Sequence, residues 1–192
     1  TDGTRDILEG FDDLTIVDDP VVAYEQSDKM TRLAHQAGAM GADWVIPFDA
    51  DEYFRPHDSS YTLLSLLTEL DRGFSAVHCP VYQHKTWDDR ATDHKNFGKI
   101  IYKPSGGGQL QWGQHGLNEH VGETQAHAAE AREWQYRSFE HFCAKIEKSK
   151  DLYSRAEIPG MYGGHMRDLM AAENLQERYD QIMNFPTVYD PI

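Results

Sequence analysis

A chain of 192 residues with 32 acidic and 18 basic side chains carries a formal charge of −14. That balance excludes nucleic acid and anionic membrane as general partners, because phosphate backbones are bound by clustered Lys and Arg. A hydrophobic content of 40% with 11% aromatics excludes a disordered chain and sustains one well-buried domain spanning residues 1–192.

The opening TDGTRDILEGF predicts a helix with Ile7, Leu8 and Phe11 on one face and Asp2 or Thr4 as N-cap. A helix this close to the first residue lacks the strand that would feed it, so the chain reads as cut at its N-terminus. LTIVDDP, residues 14–20, predicts a short strand stopped by Pro20. Met30, Leu33, Ala34, Ala37 and Met40 recur at helical spacing, and Gly41 ends that helix. DWVIPF, residues 43–48, reads as a central strand of mostly continuous apolar character, with Pro47 marking its end.

Three acids follow at once: Asp49, Asp51 and Glu52. Carboxylates this close repel one another unless a cation compensates. On an extended strand Asp49 and Asp51 face the same way. A hard divalent ion, Mg²⁺ or Mn²⁺, takes few protein carboxylates and completes its shell with water and substrate phosphates. A solvated acidic loop, or charges capping the next helix, is the bland alternative.

Asp58, Ser59 or Ser60 is the expected cap of a helix with Leu63, Leu64, Leu66, Leu67 and Leu70 on a broad apolar face. Gly73 closes it, and FSAVHCPVY, residues 74–82, returns as a strand. The order helix, strand, helix, strand predicts α/β architecture with a right-handed crossover and a mostly parallel sheet. Ligands bind such sheets at the carboxyl ends of strands, where Asp49 and Asp51 stand. Residues 83–127 turn polar, rich in His, Trp, Gly and Gln, a texture suited to facing substrate. Within them, GKIIYKP and QLQW predict a hairpin around SGGG. The chain closes with two helical segments. One has Phe139, Phe142, Cys143 and Ile146 on a face; the other runs through Met166, Leu169, Met170, Leu175, Tyr179 and Ile182. Residues 151–192 read as a C-terminal helical extension.

Cys79 and Cys143 stand in no metal-ligand spacing and make no disulfide framework, so the expected compartment is a reducing cytoplasm. No apolar run approaches the roughly 18 residues of a membrane span; peripheral membrane association is an open alternative.

TDGTRDIL followed by GADWVIPFDADEY resembles bacterial glycosyltransferase family 2-like proteins, whose S-D-G-T segment opens a helix ahead of a GADW-[apolar]-DADE segment. FGKIIYKP is similar to the family's K-[apolar]-[apolar]-x-[RK]-P strand, and YRSFEHFCAKIEK to its R-S-x-[EQ]-x-F-x-x-K helix. The four landmarks occur in family order and cover residues 1 to about 150. Thr1 replaces the family's usual serine.

The resemblance implies a GT-A fold, a mixed Rossmann-like sheet flanked by helices, here without its first strand and helix. It implies transfer of a sugar from a nucleotide-sugar donor to a saccharide or glycoside acceptor, with an inverting mechanism. Asp51 would bind Mn²⁺ or Mg²⁺ bridging the donor diphosphate, and Asp49 would contact the ribose or the metal shell. His115, in WGQHG, would complete the metal site, with His120 as competitor. Asp2 would lie near the nucleotide, and Lys99 would neutralise phosphate unless it merely snorkels from a strand edge. Glu119, in GLNEH, is the expected general base; Glu52 is the alternative unless it holds the loop together. Two further readings stay beside this one: a non-catalytic sugar- or nucleotide-binding remnant of the fold, and a metal-dependent phosphoesterase.

Overall fold

The computed structural model describes residues 3–20, 25–70, 73–155 and 164–190. The expected helix at the start is a short α1 (Thr4–Leu8), preceded by Gly3 at φ 80°. Its expected buried face is exposed, with Ile7 at 67% and Phe11 at 56%, because no core cluster of the described residues covers it. The expected strand at residues 14–20 is likewise absent. Leu14, Ile16 and Val17 lie exposed along an irregular segment, since no ladder among the described residues receives them.

Helix α2 (Gln26–Ala39) follows the sequence pattern: Ala34 is buried, Met30 and Ala37 pack on the same cluster, and Gly41 at φ 98° turns the chain away. Residues 43–48 do not form the expected regular strand. Val45 makes one antiparallel bridge, its N–H to the Tyr102 carbonyl at 2.8 Å and its carbonyl to the Tyr102 N–H at 3.1 Å. Pro47 has no N–H to extend the ladder. The acids therefore sit on a turn closed by the Glu52 N–H on the Asp49 carbonyl at 3.0 Å, and β1 (Glu52–Pro56) begins inside the acidic cluster.

Helix α3 (Leu63–Leu70) buries Leu66 and Leu67 and leaves Leu64 exposed. Thr62 caps it, rather than Asp58, Ser59 or Ser60. Thr62 Oγ1 accepts from the Ser65 N–H at 3.1 Å while Ser65 Oγ accepts from the Thr62 N–H at 2.9 Å, a reciprocal cap. Asp58 instead accepts from the Ser60 N–H at 2.9 Å and closes a turn.

The sheet is built from β2 (Ala76–Gln83), β4 (Gly98–Tyr102), β7 (Thr124–Ala126) and β8 (Ala129–Glu133) together with β1, after the short β3 (Asp89–Ala91) has branched away. Its order is β1-β8-β2-β4, with β7 also on β2. β7 and β8 run parallel to β2, whereas β4 on β2 and β1 on β8 are antiparallel. The sheet is mixed, not mostly parallel. The expected hairpin is absent too: β4 pairs with β2, and β5 (Gln109–Leu110) pairs with β6 (Leu117–Asn118).

Alternation along β2 sends Val77, Cys79 and Val81 to a core shared with Phe54, Leu66, Leu67 and Ile101. Ala76, Ile100, Tyr102 and Leu110 pack with Ala34 of α2. Helix α4 (Phe139–Arg155) carries the expected Phe139, Phe142, Cys143 and Ile146 face into a third cluster. The last predicted helical segment is two helices, α5 (Gly164–Met170) and α6 (Leu175–Met183). Asn174 starts the second, its side chain accepting from the Glu177 N–H at 3.1 Å. Strand β9 (Thr187–Tyr189) returns to pair antiparallel with β3.

Candidate functional site

The turn at residues 49–52 gathers groups from five distant parts of the chain. Asp49 Oδ1 accepts from Gln26 Nε2 at 3.0 Å and from Gln114 Nε2 at 3.3 Å, and its Oδ2 lies 3.3 Å from Lys99 Nζ. Glu52 Oε1 lies 2.6 Å from the same ammonium, and its Oε2 accepts from the Asp49 N–H at 3.1 Å. Asp51 faces elsewhere: its Oδ2 accepts from Lys145 Nζ at 3.1 Å, and its carbonyl accepts from the Trp134 N–H at 2.9 Å. Asp49 and Asp51 thus do not point together, because the backbone turns where the sequence predicts an extended strand.

Lys99 and Glu52 are both nearly buried, with side chains 5% and 2% exposed. Burial alone would lower the Lys99 pKa, but the charges of Glu52 and Asp49 prevail and hold it above its ordinary value. Burial lifts Glu52 above the usual carboxylate range, only partly offset by Lys99 and the Asp49 N–H. Glu52 is thereby a loop-holding acid, the alternative the sequence left open, and Lys99 is a buried counter-ion, not a snorkelling edge residue.

His115 Nδ1 lies 2.9 Å from the Gly98 carbonyl, which can only accept, so Nδ1 carries the proton and Nε2 keeps its lone pair. Burial pulls the imidazole pKa below its ordinary value despite that hydrogen bond, which leaves the ring neutral. Phe97 packs on the ring at 4.3 Å between centroids. His120, the competitor, instead places Nε2 2.9 Å from Ser75 Oγ, at the start of β2.

Gln114 is 1% exposed, has φ 61°, and its Oε1 has no hydrogen-bond partner among the described residues. A left-handed glutamine is a strained choice, and an orphaned buried acceptor costs about 1–3 kcal/mol. Both features sit one hydrogen bond from Asp49.

Beyond Asp51, Glu133 ends β8 directly across the ladder from Glu52. Directly opposed residues of an antiparallel pair project from the same face. Lys95 Nζ pairs with the Glu133 carboxylate and lies 3.0 Å from Gln135 Oε1.

Glu119, the expected base, does not join the turn. It lines a groove with Asp28, Thr31, Arg32, His35 and Gln109, along α2. Asp2 lies outside the described residues. Among the described residues, no group of three or more His, Cys, Asp or Glu side chains is arranged to hold a metal ion. The expected trio of Asp49, Asp51 and His115 is therefore no ready-made cage: Asp49 is engaged by Lys99, Gln26 and Gln114, Asp51 by Lys145, and His115 by Gly98.

Sequence reasoning missed Gln26, Gln114, Lys95 and Glu133, and assigned no role to Lys145. Only Lys145 carried a signal, as the closing lysine of the helix motif. Comparison of the chain with models of known families and with curated proteins gives no match.

Proposed function

We propose that the chain is a divalent-cation-dependent glycosyltransferase of GT-A type, or a large part of one, moving a sugar from a nucleotide-sugar donor to a saccharide or glycoside hydroxyl with inversion. The observation that carries this reading is the unpartnered Gln114 Oε1 beside the Asp49–Asp51 turn. An orphaned oxygen acceptor, two carboxylates and a neutral histidine would supply donors to a hard ion bound jointly with phosphate once Asp51 turned from Lys145 toward Asp49.

Asp51 and Asp49 would hold Mn²⁺ or Mg²⁺, with His115 Nε2 and Gln114 Oε1 as further donors. The ion, when bound, would offset the charge developing on the departing nucleoside diphosphate. Lys99 holds the turn in shape through Asp49 and Glu52, and Lys145, released from Asp51 when the ion binds, would offer a cation for phosphate. Glu133, its carboxylate oriented by Lys95, which Gln135 holds in turn, takes over from Glu119 as the acid to accept the acceptor hydroxyl's proton. The proposed compartment is the cytoplasm, which suits the two free thiols.

A second reading, nucleotide binding without transfer, has one observation in its favour: Lys99 and Lys145 already compensate the turn's acids. Calorimetry with UDP and GDP, with and without Mn²⁺, tests the proposal on this chain and on Asp51→Ala. Manganese-dependent binding that the variant loses is the expected result. Metal-independent binding unaffected by Asp51→Ala would favour the second reading.

A further inference from the structure

Three guanidinium groups converge on one carboxylate at the opposite end of β1. Asp190, just after β9, takes Arg55 Nη2 at 2.9 and 3.1 Å, Arg90 Nε at 2.7 Å and Arg132 Nη2 at 2.8 Å. Each arginine also has a hold that does not involve Asp190. Arg55 Nε donates to Glu130 at 2.7 Å. Arg90 Nη1 donates to the Ala91 carbonyl at 2.9 Å, and its guanidinium lies 4.4 Å from the Tyr82 ring centroid. Arg132, 1% exposed, donates from Nε to Glu130 at 2.9 Å and from Nη1 to His84 Nε2 at 3.2 Å. His84 is fixed as acceptor because its Nδ1 faces the Thr86 carbonyl at 3.2 Å. Glu130, Tyr82 and His84 thus give each guanidinium an anchor apart from the carboxylate inside the cradle, except that Arg90 also rides on the β3–β9 ladder.

The strand that delivers Asp190 is short and exposed. Asp190 follows a three-residue strand whose residues are all exposed and whose ladder is the three residues of β3, extended by the Asp190 N–H on the Asp88 carbonyl at 2.9 Å and the Thr92 N–H on the Pro186 carbonyl at 3.0 Å. The charges do not balance either. Glu130 offsets one guanidinium and leaves two positive charges, of which Asp190 matches one; the Asp89 carboxylate is turned to the N–H groups of Lys85 and Thr86. Forked guanidiniums in this number suit the several oxygens of a phosphate better than the two of a carboxylate.

We propose that Arg55, Arg90 and Arg132 form a binding site for a phosphate dianion, free or as a monoester, which the chain's own Asp190 occupies in its absence. This site is independent of the acid turn and of the transferase reading. Binding of the dianion exchanges the single charge of Asp190 for two and frees β9 from β3.

The test is calorimetry with inorganic phosphate at constant ionic strength, on the wild type, on Asp190→Asn and on Asp190→Asn with Arg90→Gln. Asp190→Asn should bind phosphate at least tenfold more tightly than the wild type, and adding Arg90→Gln should reverse that gain at least tenfold. A folded Asp190→Asn chain that gains nothing, or whose gain Arg90→Gln leaves intact, overturns the proposal. Should Asp190→Asn not fold, hydrogen exchange on the wild type decides. Phosphate, but not chloride at equal ionic strength, should speed exchange of the Asp190 N–H, which donates to the Asp88 carbonyl at 2.9 Å; an unchanged rate overturns the proposal. Glycerol phosphate binding tighter than inorganic phosphate would assign the site to esters, and the reverse order to the free ion.

Discussion

Lys145 Nζ lies 3.1 Å from Asp51 Oδ2 across 94 residues of chain. Helix α4, distant in sequence, thereby supplies the ammonium that holds the second carboxylate of the acid turn. A divalent ion bound by Asp51 must compete with that ammonium. The pair is partly open to solvent, with side chains 34% and 20% exposed, so it is worth at most about 1 kcal/mol.

Lys145→Met should therefore tighten Mn²⁺ binding by no more than about fivefold and leave the melting temperature nearly unchanged. Calorimetric titration with Mn²⁺ alone checks this. Weaker Mn²⁺ binding in the variant would mean that Lys145 helps the ion to bind and does not compete with it.

Lys99 is a different case, because its loss strands the buried Glu52. Removing one member of a buried ion pair costs about 3–5 kcal/mol, and Lys99→Met should lose stability on that scale in urea unfolding. Combining it with Glu52→Gln should recover at least half of the loss, since the stranded charge is then gone. A single-variant effect below about 1 kcal/mol would contradict the counter-ion role.

Glu133→Gln keeps the size of the side chain and removes the proposed base. With whichever donor the calorimetry identifies, turnover should fall at least about 100-fold, while nucleotide binding stays within a factor of about two of the wild type. Glu119→Gln is the matched control and should leave turnover intact. The reverse pattern would return the base to Glu119.

Acidification should remove the stability that the arginine cradle contributes to the fold. Burial alone would raise the pKa of Glu130 and of Asp190, yet in both the arginines prevail and lower it from ordinary values of 4.5 and 3.8. A folded value below the unfolded one means stability that is present above the unfolded pKa and lost as pH falls through the folded one. Thermal unfolding of the wild type should thus steepen with acidification below about pH 4.5, and Asp190→Asn should flatten that slope. Superimposable pH profiles for the two proteins would remove Asp190 from this role.

Helices α2 and α4 were legible because their apolar residues recur at three and four, and that spacing depends on neighbours in sequence. Strand β8 was not. Its sequence, AEARE, reads as solvated helix or loop, yet it is buried between β1 and β2, where Arg55 and Asp190, 75 and 58 residues away from their partners, match its charges. The hairpin around SGGG failed for a related reason. Local turn residues invited β4 to fold back, while β2 offered it five paired positions from further away. The acid turn was found at the right residues with the wrong geometry: Pro47 and a single bridge at Val45 leave residues 43–48 irregular, so the carboxylates diverge. Gln114 was invisible because its interest lies in a positive φ and an unmatched oxygen, neither of which leaves a mark on composition. The break between α5 and α6 was readable in retrospect, since Asn174 and Glu177 have the spacing of a helix start.

Strand β1 also gives the molecule an electrical polarity. At its start three acids face two lysines; at Arg55, three residues on, three guanidiniums face two acids. Opposite unit poles thus stand roughly 10 Å apart on a rigid extended backbone. That separation is close to the Debye length of about 8 Å at physiological ionic strength. Such a pair of poles would tend to turn an approaching ligand whose own charge is divided between two ends, more strongly in dilute buffer than in concentrated salt.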